Sequence, residues 1–227
     1  MRVLRNAVLV TALAALVALP LAGTGASRWV AAAQEKAAKV NYAPIPGGDY
    51  KIDPAHSIIG FAIRHLEINW VEGRFKDFTG TIRYDDADIT KSSVEFTAKV
   101  ESIDTGVEPR DKHLRTADFF EVEKYPEMTF KSTRIERKGK NGGVLHGDFT
   151  LKGVTKQVSL PFTITGAIKD PWGNTRFGVN AETVINRRDY GITWGKAMEG
   201  GGLDVGNEVT IDLQLEALKP APKPAGE

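Results

Sequence analysis

The strongest constraint on this chain is a two-residue rhythm of apolar side chains that recurs eight times between His56 and Glu216. In "HSIIGFAIRHL", Ile59, Phe61 and Ile63 fall on one side, and Gly60, Ala62 and Arg64 on the other. "FTGTIRYD" sets Phe78, Gly80, Ile82 and Tyr84 against Thr79, Thr81 and Arg83. "SVEFTAKV" sets Val94, Phe96, Ala98 and Val100 against Glu95, Thr97 and Lys99. Met128–Phe130, Leu145–Phe149–Leu151, Val158–Leu160–Phe162–Ile164 and Phe177–Val179–Ala181–Thr183–Ile185 continue it. The cleanest run is the last, Val209–Ile211–Leu213–Leu215. A period of two belongs to a pleated strand with one buried face. Turn formers separate the runs in "YDDADIT", "RKGKNGG", "KDPWGN" and "MEGGGLDVGN". Strands joined this way make an antiparallel sheet that is wet on one face. So wide a sheet curls, and closure removes its exposed edges. The expected fold is all-β, an eight-stranded antiparallel barrel. A β-sandwich has the same periodicity, and alternation does not separate the two.

One stretch breaks the rhythm. In "RDKHLRTADFF" Leu114, Ala117 and Phe120 lie three apart, the spacing of one helix face, and Pro109 just upstream suits a helix start. The spacing predicts a short helix at about 110–120 near one end of the barrel. Its apolar face can plug the open end or pack on the outer wall.

The chain ends read differently. Arg2 and Arg5 precede the apolar run "NAVLVTALAALVALPLAG", followed by small residues, the layout of a secretory leader over residues 1–33. Cleavage fits after Ala26 or after Ala33; an uncleaved anchor is the alternative, although the run is short for a full span. Residues 34–48 read as a flexible lead-in, 49–217 as the barrel domain, and 218–227 as a Pro/Ala-rich tail. The expected location is the periplasm. With no cysteine, the chain has neither disulfides nor thiolate metal sites. Three of its 30 cations and none of its 29 acids fall in 1–33, so the remainder carries 27 against 29, a net charge of −2. That leaves no basic surplus for nucleic acid or anionic membrane.

Motifs for catalysis are missing. His56, His65, His113 and His146 share no metal-ligand spacing, so no metal site is expected. His56 suits a turn cap; His65 keeps step with Ile63 and so points inward. Ser57 lies in no nucleophile elbow, and "EGGGLDVGN" matches neither phosphate-loop nor dinucleotide patterns. Arg110–Asp111 and Arg187–Arg188–Asp189 read either as internal ion pairs or as forks for an anionic headgroup.

From Tyr50 to Glu216 the chain resembles the YceI-like family of exported bacterial proteins. The resemblance is carried, in order, by "YKIDPAHSIIGFAIRHL", "VEGRFKDFTGTI", "SIDTGVEPRDKHLRTADFFEVEKYPEMTFKST", "GDFTLKGVTKQVSL", "DPWGNTRFG", "INRRDYGITW" and "VGNEVTIDLQLEA". Gln157 and Tyr190 stand where the family often has proline and phenylalanine. The resemblance implies a lipocalin-like barrel with an apolar pore that holds a long isoprenoid or fatty amphiphile, no cofactor, and a homodimer. The alternating residues Ile59, Phe61, Ile63, Phe96, Phe130, Phe162, Phe177 and Leu213 would form the pore wall; if they fill the barrel, no cavity remains. His65, Arg110, His113, Leu114, Phe120 and Arg188 are candidates for the mouth or the headgroup. The expected function is non-enzymatic sequestration or transport of the lipid. Alternatives are a redox accessory or enzyme acting on an isoprenoid quinone, and a structural stress protein without a ligand.

Overall fold

A computed structural model describes residues 41–222. The expected leader, the lead-in as far as residue 40 and the last five residues of the tail lie outside the described residues. Twelve strand segments follow in chain order: β1 (Gly48–Ile52), β2 (Ile58–His65), β3 (Asn69–Phe75), β4 (Phe78–Tyr84), β5 (Ser93–Lys99), β6 (Ile103–Asp104), β7 (Glu127–Arg137), β8 (Gly142–Leu151), β9 (Val154–Ile164), β10 (Ile168–Lys169), β11 (Thr175–Asn186) and β12 (Val205–Lys219). The α-helix α1 (Glu108–Arg115) lies between β6 and β7.

Without the two-residue β10, the other eleven segments make eight staves, because β1 continues into β2, β3 into β4 and β5 into β6 along shared ladders. All pairings are antiparallel, and each stave lies beside its neighbours in the chain. β12 pairs with β11 on one edge, from Thr175↔Lys219 to Asn186↔Glu208. On its other edge it pairs with β1 and β2, which closes the ring. The barrel alternative holds and the sandwich does not. β10 is a short flap on β11.

The breaks in the three double staves lie side by side and change the phase of the inward face. Tyr50 and Ile52 point inward before the first break, Ile59, Phe61 and Ile63 after it; Phe75 and Phe78 flank the second. At the first, Pro54 has no N–H for the ladder, and the Asp53 carboxylate accepts from the Ala55 amide at 3.0 Å. The Ser57 hydroxyl accepts from the Glu216 amide (2.9 Å), so a side chain replaces the missing rung. At the second, Ser102 Oγ accepts from the amides of Lys76 (3.1 Å) and Asp77 (3.0 Å).

The barrel reaches further at both ends than the turn signals suggest. Ala43 exchanges backbone hydrogen bonds with Ala167 at 2.9 and 2.8 Å, Ile45 is buried, and the Tyr50 hydroxyl donates to Pro46 O at 2.7 Å. The described part of the expected lead-in is thus pinned to the wall. β12 runs two residues past 217, into the expected tail, because Lys219 pairs with Thr175 and its ammonium donates to Gly47 O at 2.7 Å.

α1 is shorter than its apolar spacing predicts. Thr116 takes an extended backbone and its hydroxyl donates to His113 O at 2.8 Å, which ends the helix. The chain then doubles back: the Phe120 amide donates to Leu114 O, and Val122 to Arg115 O. Phe119 and Phe120 therefore sit on the returning turn, and Ala117 is exposed. Arg115 fastens the helix to the barrel through Glu101 O (2.8 Å) and Ile103 O (3.0 Å).

Candidate ligand-binding cavity

Inside the ring lies a cavity of about 430 Å³, lined almost wholly by apolar side chains from every stave. Ile59, Phe61, Ile63, Phe96, Phe130, Phe162, Phe177 and Leu213 all face it. The barrel is therefore not filled solid. At the far end the rings of Tyr50 and Tyr84 meet Phe177 at 4.9 and 5.9 Å. Burial is the main cause that raises the pKa of both phenols, as expected for aromatic hydroxyls held in an apolar setting.

At the opposite end α1 caps the cavity and does not pack on the outer wall. Leu114 and Phe120 line the cavity, and Phe120 meets Phe75 edge-on at 6.0 Å. The His113 ring touches Phe119 (5.1 Å) and Trp194 (5.2 Å), both near-perpendicular, and its Nε2 lies 2.8 Å from Asp118 Oδ2. Arg110 donates through Nε to Thr105 Oγ1 (2.7 Å) and through Nη2 to Thr105 O (2.9 Å). Thr105 in turn donates to Asp111, a carboxylate only 4 % exposed. His65 lies on the exposed rim.

Residues 50–217 match the family model of the YceI-like domain. This chain belongs to the YceI-like family. It is similar to protein YceI of Escherichia coli, 43 % identical over 146 residues that cover 63 % of this chain and 76 % of that one. Among solved structures it resembles BcnA of Burkholderia cenocepacia (TM-score 0.63, 25 % identity, 73 % of this chain and 98 % of that one). A polyisoprenoid binding domain from Saccharophagus degradans shares the fold at TM-score 0.55 and 17 % identity, over 75 % of this chain and 98 % of that one.

In this YceI-like barrel the basic residues after β11 divide. Arg188 is exposed, donates to Asn207 Oδ1 at 2.8 Å and does not face the cavity. Arg187 does face it, at 3 % exposure, and its guanidinium donates to three backbone carbonyls: Gly206 (2.7 Å), Ile192 (2.9 Å) and Val205 (3.1 Å). Burial, then the nearby charge of Arg188, lowers its pKa; Asp204 acts the other way. The sequence offers Arg187 and Arg188 together as an anion fork and puts only Arg188 at the mouth, although Arg187 is the one that keeps the odd-numbered phase of Phe177 to Ile185. The following turn needs Gly191, whose φ of 72° favours glycine. The ionisable side chains on the lining are Arg64, His65, Tyr84, Arg110, His113 and Arg187, with no carboxylate among the described residues.

One cluster outside the barrel has the residue types of a metal site. Ligand atoms of Asp53, His56 and Glu216 lie within 4.8 Å of one another. A cation already stands among them: Arg176 pairs with Asp53 (2.7 Å), with Asp170 (2.8 Å) and closely with Glu216. Burial pushes the Asp170 carboxyl up, but hydrogen bonds from Arg176, Asn174 and the Trp172 amide outweigh it and hold the pKa at about 2. The Asp53 carboxyl is lowered chiefly by His56 and, after a burial effect in the other direction, by Arg176. The arrangement fits a structural ion-pair network that ties β1, β11 and β12 together.

Proposed function

We propose that this protein is a non-enzymatic carrier that holds one long-chain amphiphile of the isoprenoid type in its barrel, in the periplasm. The observation that carries the reading is the apolar cavity itself. An eight-stranded barrel is just wide enough for its side chains to fill, or to hold one small ligand, and here space remains. If a chain carbon takes about the volume of a liquid water, about 30 Å³, the cavity has room for on the order of 14 of them. At about 0.8 kcal/mol per buried methylene that is roughly 11 kcal/mol gross, enough to outweigh moderate ordering costs. The polar end would lie near α1, where Arg110, His113 and Arg187 meet a lining that has no carboxylate among the described residues. The name of the Saccharophagus degradans neighbour supports the ligand class, and the basic, apolar and small-residue order of residues 1–33 supports export.

Solvent extraction of the protein purified from its native cells, followed by mass spectrometry, tests this. A long-chain lipid near one per protein is expected. An empty extract from a protein that also fails to take up added isoprenoids would sink the carrier.

A further inference from the structure

Three inward-facing glycines are overlaid, where a side chain would begin, by an aromatic ring from the next stave. A Cβ on Gly73 would lie 2.4 Å from Phe61 Cζ and 2.7 Å from its Cε1. On Gly147 it would lie 2.4 Å from Phe130 Cζ, and on Gly143 3.0 Å from Phe162 Cε1. Gly73 stands directly opposite Phe61 across the β2–β3 ladder, and Gly143 opposite Phe162 across β8–β9. The three rings thus lean sideways over a neighbour's bare backbone and do not stand toward the axis. Leaning rings leave open a space that upright ones would fill.

We infer that Gly73 sets the width of the bore near α1, and that its bare backbone admits a methyl-branched chain where alanine would admit only a straight one. This rests on the lipid-carrier reading. Gly73 differs from the other two in its surroundings. A methyl on Gly147 would also strike Lys131 O at 2.5 Å, and one on Gly143 would strike Glu136 O at 2.2 Å, so substitution there breaks the ladder. The nearest atoms around Gly73 belong to side chains, Phe61 and Thr105 Cγ2 (2.8 Å). A methyl there is relieved by swinging the Phe61 ring off the wall, with a small shift of the Thr105 methyl. Phe75, 5.8 Å away and backed by Phe120, blocks one sideways route, so the ring turns toward the axis. A straight chain needs the cross-section of a methylene, whereas an isoprenoid carries a methyl at regular intervals and needs more.

The test measures displacement of a fluorescent fatty probe from the full chain by two alcohols. Geranylgeraniol and hexadecanol have the same main-chain length and a primary hydroxyl head; the first is branched and unsaturated, the second neither. Because wild type and variant meet the same two ligands, the change in their ratio isolates the effect of the added methyl. Gly73→Ala should weaken geranylgeraniol by about tenfold and hexadecanol by less than about threefold, since overpacking acts on the wider ligand. Equal losses, or none, overturn the inference while leaving the carrier intact. A wild type that binds neither alcohol removes the carrier reading and this one with it. The double variant Phe61→Leu/Gly73→Ala should fold and bind geranylgeraniol as Phe61→Leu does, because the shorter side chain clears the methyl. A double variant that misfolds, or binds as weakly as Gly73→Ala, refutes the assigned clash.

Discussion

Replacing Arg187 by methionine separates two opposed effects of comparable size. Methionine keeps much of the side-chain volume and removes the charge, so the cost of burying a guanidinium, several kcal/mol even after relaxation, is recovered. Against this, the carbonyls of Gly206, Ile192 and Val205 lose their donor. Each stranded carbonyl costs about 1–3 kcal/mol if it stays dry. Three of them outweigh one recovered charge, and a net loss of about 2–4 kcal/mol follows. With a urea m-value of about 2 kcal/mol/M, the midpoint should fall by about 1–2 M. Hydrogen exchange should quicken at the Ile192 amide, which donates to Arg187 O, and at Lys196, which donates to Asp204. Amides of the β7–β8 ladder serve as the internal control. Arg187→Lys should fall between, because one ammonium cannot reach three carbonyls in the fork geometry. An unchanged or raised midpoint for Arg187→Met would mean that desolvation dominates and that the segment over the α1 end is held by something else.

The Arg176 network should show in acid. Asp170 has a native pKa of about 2, below the ordinary carboxylate value, so its stabilisation is complete above pH ~4 and disappears as pH falls toward 2. Asp170→Asn should flatten that limb of the stability curve, and an unaltered acid limb would contradict the assignment. Tyr190 gives the reverse case in alkali. Burial, then Asp189, raises its phenol to about 12, so stability present below pH ~10 declines between 10 and 12 as the unfolded chain ionises first. Tyr190→Phe should lessen that decline, to which Tyr50 and Tyr84 also contribute, and stay within about 1 kcal/mol of wild type at pH 7, because only a hydroxyl is removed; equal alkaline melting of the two proteins would disprove it.

How far the sequence exposes this structure depends on the residue. Alternation placed Ile59, Phe61, Phe96 and Leu213 on one face because a closed sheet offers each inward side chain only one environment. The phase changes at Asp53–Ser57 and Lys76–Asp77 were not legible, since they depend on Ser57 and Ser102 filling gaps in ladders formed with distant strands. Spacing put Leu114 and Phe120 on a common apolar face, and they do share the cavity. It missed that Thr116 ends the helix and that the chain turns back to bring Phe120 there. Arg188 was preferred to Arg187 because charge alone does not distinguish the two. Strand phase does, once it is carried through Ile185. The pairing of Gly73 with Phe61 needs register, which no single strand contains.

Closure by β12 governs the order in which this molecule can become itself. The stave made last must meet both the first one and its own predecessor. Until it emerges, the partial sheet has two open borders and an uncovered greasy surface, and no shorter product is a smaller barrel. Assembly is therefore a single late event that spans the domain, slow by its long-range pairing and dependent on protection of the unfinished chain. Cutting instead at Gly139, with residue 41 joined to residue 222 by a linker, would preserve each ladder and move the vulnerable seam elsewhere.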